Sequence, residues 1–199
     1  MTYDIRLFGK ASVAVSVLQL QSVFEACRFE VLDGDDARWT QLLVTSRRGE
    51  EICLIERADK ARMAKEIDWL REELADCRPR SAAHWTRNYL FAARELYGCR
   101  YLSFGLSRDF VSIPSSVIWG LQEIGGGGIV HAEGQGFSNE EGYQITWGFS
   151  DRARGTRQVA VLDGDGRWQS FEIDLSDERE REAFKLGARP AGAELLEFN

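Results

Sequence analysis

The sequence predicts an α+β fold, with antiparallel sheets at both ends of the chain packed on a central helical hairpin. Three observations support this class. Apolar and polar residues alternate near the start, apolar residues recur every three to four positions in the middle, and short strand-like runs separated by glycine turns fill the last third. The 199 residues fit a single compact domain, 1–199, with candidate subdivision points near residues 58 and 125.

The first third of the chain carries four predicted strands and one predicted helix. YDIRLFG alternates apolar and polar side chains, as half-buried strands do. Residues 15–27 are interpreted as a helix because Val17, Leu20 and Cys27 share a helical face, although the β-branched content also fits a strand. RFEVLD follows as a strand, and WTQLLVTS and EICLIER form a predicted hairpin across RRGE.

The middle of the chain carries three predicted helices. The first spans residues 59–77, and its apolar positions stack on one face: Met63, Ile67, Leu70, Leu74 and Cys77. The second runs from residue 81 to about 97, and the short link RPR predicts a helical hairpin. CRYLSFGL is interpreted as a strand or an extended link. The third helix begins near Pro114 in SIPSSVIWGLQEI and ends at the glycines that follow.

The last third predicts four strands and a short helix. The strands are GIVHAEG, YQITWGFS, RQVAVLD and RWQSFEIDL, with the turn DGDG joining the last two. SDEREREAFKLG is the predicted helix, and RPAGAELLEFN is a tail that frames one more short strand. These elements place the second antiparallel sheet after the helices.

Composition restricts the choice of partners and compartment. The net charge of −7 disfavours direct nucleic-acid binding, which needs a basic stripe. No run of about 18 apolar residues occurs, and MTYDIRLFGK lacks the features of a signal peptide. We therefore expect a cytoplasmic protein without a membrane partner. The four cysteines form no CxxC pair, which predicts free thiols and neither a metal site nor a cofactor.

The glycine-rich stretch IGGGGIVHAEGQGFSNEEGYQITWG is the candidate for a functional loop. A phosphate-binding P-loop needs GxxxxGK[ST], and no lysine occurs between Lys65 and Lys185. GQGFSN supplies only two glycines of the dinucleotide fingerprint, and no helix is predicted after it. The spacing of acidic residues also differs from that of an EF-hand. The glycines are therefore predicted to serve backbone turns.

His131 and Glu133 are the candidates for acid–base chemistry. They lie two residues apart on a predicted strand, so their side chains would share a face. A GxSxG nucleophile motif is missing from the sequence, which favours a polar strand residue over a catalytic base. The alternative stays open that the chain is a small cytosolic enzyme or ligand-binding domain that uses the glycine-rich loop 125–143.

The loop has two interpretations, a plain solvated turn and a partner-binding surface, and the second is the functional hypothesis. GQGFSNEEG is predicted to connect IVHAE and YQITW in a long antiparallel pair and to display a compact acidic surface. Its predicted partner-binding residues are Glu133, Asn139, Glu140 and Glu141. We expect these side chains to bind a partner and not to catalyse a reaction.

The YDI first strand, EICLIER, the aromatic helical hairpin and GGIVHAEGQGFSNEEGYQITWGFS together resemble bacterial immunity proteins. Such proteins are encoded in polymorphic-toxin and secreted-effector loci. The resemblance implies a non-enzymatic protein that binds a cognate toxin and blocks its active site. It leaves the oligomeric state and the chemistry of the toxin open. A structural component of a larger assembly is a third alternative.

Overall fold

The computed structural model describes residues 3–10, 13, 15–102 and 112–196. The predicted α+β class is confirmed, because the described residues form five helices, a large antiparallel sheet and a small one. The elements in chain order are β1 (Ile5–Gly9), α1 (Val17–Val23), β2 (Cys27–Asp33), β3 (Gln41–Ser46), β4 (Glu51–Arg57), α2 (Lys60–Glu73), α3 (Arg80–Ala92), β5 (Glu95–Tyr101), α4 (Ile113–Ile124), β6 (Ile129–Ala132), β7 (Gly136–Ser138), β8 (Thr156–Leu162), β9 (Trp168–Asp174) and α5 (Glu178–Lys185).

The chain divides into two compact units. Unit 1 comprises Met1–Lys65 and Ala93–Val130, and unit 2 comprises Glu66–Ala92 and His131–Asn199. Helix α2 and strand β6 each begin in unit 1 and end in unit 2. The prediction of one domain over residues 1–199 stays a prediction, which a measurement of unfolding can test.

Unit 1 is built on an antiparallel sheet with the strand order β2-β3-β4-β5-β1, followed by the start of β6. Strand β3 shows why: Leu42, Val44 and Ser46 are buried while the residues between them are half-buried, which is the alternation of a pleated strand. Helices α1 and α4 contribute apolar side chains such as Leu20 and Ile118 to the same core. Burial of this shared core holds the strands of unit 1 side by side, which allows the regular ladder to form.

Unit 2 contains the β8–β9 hairpin, whose register runs from Thr156 opposite Asp174 to Leu162 opposite Trp168. The hairpin packs its apolar face with helix α5 around Phe171 and Phe184, both of which are fully buried. Asp177 caps α5, because its side chain accepts hydrogen bonds from the first helical amides. The predicted strands RQVAVLD and RWQSFEIDL and the last helix are therefore confirmed.

Three predicted helices were too long, and the helix predicted over residues 59–77 ends at Glu73. Helix α1 covers only Val17–Val23, and strand β2 already begins at Cys27. Helix α3 ends at Ala92, and Glu95–Tyr101 forms strand β5 with neighbours on both sides. A central strand gains ladder hydrogen bonds along both edges, and this tertiary gain overrides the helical pattern of the local sequence. Predictions for residues 103–111 lie outside the described residues.

The strand predicted for YQITWGFS was also wrong. Within this segment the backbone forms isolated bridges, from Gln144 to Ser138 and from Gln144 to Val159, and single hydrogen bonds such as that from Ile145 N to Phe137 O at 2.8 Å. Strand β6 lies between β1 and the short strand β7, so IVHAE does not pair with YQITW in a long hairpin. Single backbone bonds and side-chain bonds hold this segment in place of a ladder.

The predicted core of helix α2 is confirmed in its C-terminal half. Leu70 and Leu74 are fully buried, whereas Met63 and Ile67 are only half-buried.

All four cysteines are free thiols. Burial raises the pKa of the Cys27 thiol to about 11 and is the main cause of a similar rise, to about 11, at Cys77.

Candidate functional site

The predicted partner-binding residues lie on two separate turns of unit 2. Glu133 is in the turn that joins β6 to β7, whereas Asn139, Glu140 and Glu141 are in the turn that follows β7. Three strand residues span roughly 10 Å, so β7 separates Glu133 from the other two carboxylates. The single compact acidic loop expected from the sequence is therefore two turns.

Asn139 builds the second turn. Its side chain is only 1% exposed, and its Oδ1 accepts hydrogen bonds from the backbone N–H groups of Glu141 at 3.2 Å and Tyr143 at 2.9 Å. This is an Asx turn, in which a side-chain amide takes the place of a backbone carbonyl. The Nδ2 of Asn139 also donates to Glu141 Oε2 at 3.3 Å. Asn139 thus positions a carboxylate, and its own side chain is covered.

Glu140 is held from the other side by a helix. The buried hydroxyl of Tyr89, on α3, donates to Glu140 Oε1 at 2.8 Å. Burial and the neighbouring carboxylate raise the pKa of the Tyr89 phenol, so this donor stays protonated at neutral pH. Glu140 is nevertheless an exposed residue. Its carboxylate is therefore both accessible and oriented.

His131 is a buried residue whose partner differs from the one predicted. Its Nε2 lies 3.3 Å from Glu73 Oε1, and its ring is packed between Phe137 and the edge of Trp69, with centroid distances of 4.6 and 6.1 Å. Strand β6 ends at residue 132, so the alternation that would align His131 with Glu133 does not extend that far. With 1% of its surface exposed, His131 is closed to a substrate from solvent.

The glycines at 125–128 serve the turn between α4 and β6. Gly126, Gly127 and Gly128 all have positive φ values, of 83°, 100° and 151°. A Cβ atom at Gly128 would lie 2.7 Å from the Leu7 side chain, so the close approach to β1 also requires glycine. The adjoining cavity, between Leu7, Leu121 and Gly127, leaves about 10 Å³ for the centre of a water molecule, which is room for one water.

Gln144 is a structural residue that the sequence pattern does not reveal. Its buried Nε2 lies 2.8, 3.0 and 2.9 Å from the carbonyl oxygens of Gln135, Phe137 and Thr146. The hydroxyl of Thr146 accepts from Phe137 N at 2.8 Å. Phe137 O also accepts from the backbone N–H of Ile145 at 2.8 Å, so the side-chain bonds matter most for the carbonyl oxygens of Gln135 and Thr146 and for the Phe137 amide. Nothing in the local sequence distinguishes this glutamine from a surface residue.

Arg157, on β8, is the second residue of interest that was not singled out individually. Its Nη2 donates to Gln135 Oε1 at 3.0 Å and to Gln144 Oε1 at 3.3 Å. Its guanidinium lies 5.5 Å from the centre of the Phe149 ring. The Arg157 side chain is half-buried, although nothing in the local sequence distinguishes it from a solvated arginine.

The net charge is carried by unit 2. From the sequence, unit 2 has 19 acidic and 12 basic side chains, a difference of −7, whereas unit 1 has 13 of each. The acidity that motivates a binding hypothesis therefore belongs to the same unit as the two acidic turns.

Comparison with known protein families, curated proteins and solved structures finds no match to this chain. Within the described residues, no group of three or more histidine, cysteine or acidic side chains is placed to hold a metal ion. No helix in that part of the chain is long and apolar enough to cross a membrane.

Proposed function

We propose that this chain is a non-enzymatic immunity protein that binds a cognate bacterial toxin in the cytoplasm and blocks its active site. The observation that carries the proposal is the second acidic turn of unit 2. Glu140 and Glu141 are both exposed, and each carboxylate is bonded to another side chain, Tyr89 or Asn139. An exposed carboxylate held in one orientation is suited to recognise a basic group of a partner.

Orientation before binding lowers the cost of association. A free glutamate loses about 0.5–1.5 kcal/mol of side-chain entropy when an interface immobilises it. Part of that loss has already occurred at Glu140 and Glu141, because hydrogen bonds hold both carboxylates in the free protein. The negative charge of unit 2 adds a long-range attraction to a basic partner, which raises the association rate at low salt.

A toxin that acts on nucleic acid or nucleotides has a basic active site, and the acidic turn complements such a site. In this arrangement Glu140 and Glu141 occupy positions that substrate phosphates would take. Inhibition then follows from occlusion and needs no chemistry from the immunity protein. Glu133, at the other end of β7, contributes at the rim of the interface.

The experiment is co-expression with the product of the adjacent gene, followed by measurement of stoichiometry, affinity and protection of cells. The test variant is the pair Glu140→Gln and Glu141→Gln, which removes two charges and keeps the shape. The matched control is the pair Glu72→Gln and Glu172→Gln, which removes two exposed charges of unit 2 elsewhere. Glu133→Gln is a separate arm.

The test pair is expected to weaken binding by about 2–5 kcal/mol and to abolish protection, because partner charges lose their buried counterparts. Glu133→Gln and the control pair should change affinity by less than about 1 kcal/mol, as exposed rim charges do. Equal losses of affinity in the test and control pairs would mean that net charge alone, and not the acidic turn, causes the effect. If a one-to-one complex forms with unchanged affinity in all three variants, the interface lies outside the acidic turns. Failure to form any complex would reject the proposed function.

A further inference from the structure

Arg157 in unit 2 is an arginine whose hydrogen-bond acceptors among the described residues are all neutral. Both acceptors of its Nη2, Gln135 and Gln144, are side-chain amides. Gln144 cannot move away, because its own Nε2 is anchored to three backbone carbonyls. The guanidinium is therefore oriented by groups that leave its positive charge uncompensated.

In the part of the chain that the structure describes, no carboxylate forms an ion pair with Arg157, and its Nε and Nη1 make no hydrogen bond. Burial lowers the pKa of its guanidinium, the direction expected when a charge is desolvated without a counter-ion. Partly burying an unpaired cation opposes folding. An anion that bound here would remove that cost.

Aromatic rings continue the surface beside Arg157. Its guanidinium lies over the ring of Phe149, and Phe149 meets Trp147 edge to face at 5.4 Å. Both rings are half-buried, so each keeps an accessible part. Lys185 lies 4.8 Å from the Trp147 ring centre, but its charge is already paired with Glu182 at 2.9 Å. Among the described residues beside these rings, Arg157 is thus the cation without a carboxylate partner.

We propose that Arg157, Phe149 and Trp147 form a binding site for an oxyanion, a carboxylate or phosphate group, attached to a planar or apolar body. The oxyanion accepts hydrogen bonds from Nε or Nη1 of Arg157, the donors that no described residue uses. The body of the ligand covers the two rings. Gln135 and Gln144 are positioning residues, since they hold the guanidinium without touching the ligand. This site does not depend on the proposed toxin-binding function.

The test is a titration of the full chain with three probes, sodium benzoate, sodium acetate and inorganic phosphate, at constant low ionic strength. The signal is the Nε–Hε cross-peak of Arg157 in a ¹⁵N–¹H NMR spectrum. A saturable shift with benzoate or with phosphate is expected, and the stronger of the two identifies the oxyanion. Benzoate should bind at least about threefold more tightly than acetate, because only benzoate covers the rings. Equal affinities for benzoate and acetate would overturn the role of the rings.

The matched variants are Arg157→Gln and Arg154→Gln, which change the net charge by the same amount. Arg154 is exposed and donates only to the backbone carbonyls of Asp151 and Ala153. Shifts at the Trp147 indole N–H, which can be followed in both variants, should lose saturation in Arg157→Gln and keep it in Arg154→Gln. Equal weakening in both variants, or no saturable shift in the unmodified protein, would overturn the site.

Two further variants separate binding from folding. Arg157→Lys keeps the charge but cannot use the same fixed pattern of donors, so affinity should fall by about tenfold while the amide spectrum of β8 and β9 is retained. Gln135→Ala removes one positioning bond and should weaken benzoate about threefold with the same retained spectrum. Unchanged affinity in Arg157→Lys and Gln135→Ala together would overturn the role of guanidinium orientation.

Discussion

The two units satisfy their backbone groups in different ways. In unit 1 the strands β2 to β5 and β1 pair side by side, and regular ladders meet most of the hydrogen-bonding demand. In unit 2 the chain from residue 139 to 155 forms no ladder among the described strands, and single backbone bonds together with the side chains of Asn139 and Gln144 hold it instead. Irregular backbone held this way can present side chains in orientations that a strand does not offer.

Two arginines make the same contrast. In unit 1, Arg57 is paired with the Glu95 carboxylate, which also accepts from the Tyr97 hydroxyl at 2.8 Å. Burial lowers the pKa of Arg57, but the hydrogen bond to Glu95 and nearby negative charge outweigh it and leave that pKa raised. In unit 2, Arg157 has only neutral hydrogen-bond partners among the described residues, and burial lowers its pKa. Arg57 thus stabilises the fold through an ion pair, whereas Arg157 is the residue that we propose binds a ligand.

The largest expected effect comes from truncating each apolar core. Phe171→Ala in unit 2 should lower the free energy of unfolding by about 3–5 kcal/mol, and Leu42→Ala in unit 1 by about 2–5 kcal/mol, because both side chains are fully buried. Chemical denaturation followed by circular dichroism measures both. If each substitution shifts a different transition, the units unfold separately. If both shift one shared transition, the chain behaves as the single domain predicted from its sequence.

The arginine contrast predicts a smaller, asymmetric effect. Arg57→Gln should cost about 1.5–3 kcal/mol, because it removes the charged hydrogen bond to the buried Glu95 carboxylate. Arg157→Gln should change stability by less than about 1 kcal/mol, because it removes a charge that has no carboxylate partner among the described residues. Thermal denaturation of the two variants gives the comparison. Similar losses in both would mean that Arg157 is structural.

Replacing Gln144, the buried glutamine of unit 2, tests whether its side chain supports the backbone around it. Gln144→Leu should cost about 1–3 kcal/mol for each buried carbonyl that it leaves without a donor, chiefly that of Thr146. The control is Gln158→Leu, at an exposed position of β8, where the change should lie within about 0.5 kcal/mol. Amide hydrogen exchange near residues 135–146 should accelerate only in the first variant. Unchanged exchange would show that the backbone bonds suffice.

Glycine positions offer the finest comparison. A Cβ at Gly148 would lie 2.5 Å from the backbone of Gln135, whereas one at Gly98 would meet the Tyr3 ring at 2.4 Å. Each alanine should cost about 1–3 kcal/mol, with the larger loss at Gly148, because a neighbouring backbone moves less readily than a ring. Gly164→Ala, where a Cβ meets nothing within 4 Å, is the control and should be neutral or slightly stabilising. Melting temperatures rank the three.

Local pattern and turn chemistry were sufficient for several elements. The RRGE turn identified the β3–β4 hairpin, and the DGDG turn between apolar runs identified the β8–β9 hairpin. Pro114 marked the start of α4, and Gly126–Gly128 the turn after it. The sequence also gives the net charge of the chain, because counting acidic and basic residues needs no fold. These features depend on residues near one another in the chain.

The site itself was only partly predictable. Glu140 and Glu141 were identified as exposed carboxylates, yet the bonds from Tyr89 and Asn139 that orient them were not. Tyr89 is 51 residues away from Glu140, and no local pattern reports such a contact. The same holds for Arg157 and its acceptor Gln135, which is 22 residues away.

The sequence by itself determined the α+β class, most element positions and the acidic character of the chain, since these follow from local periodicity, turn residues and charge. Tertiary structure decided that Glu95–Tyr101 is a central strand, that His131 pairs with Glu73, and that the Gln144 side chain bonds the carbonyl oxygens of Gln135 and Thr146. The physical reason is that these outcomes depend on hydrogen bonds and burial supplied by partners distant in the chain. The residues next to a position in the sequence do not indicate which distant residues will contact it.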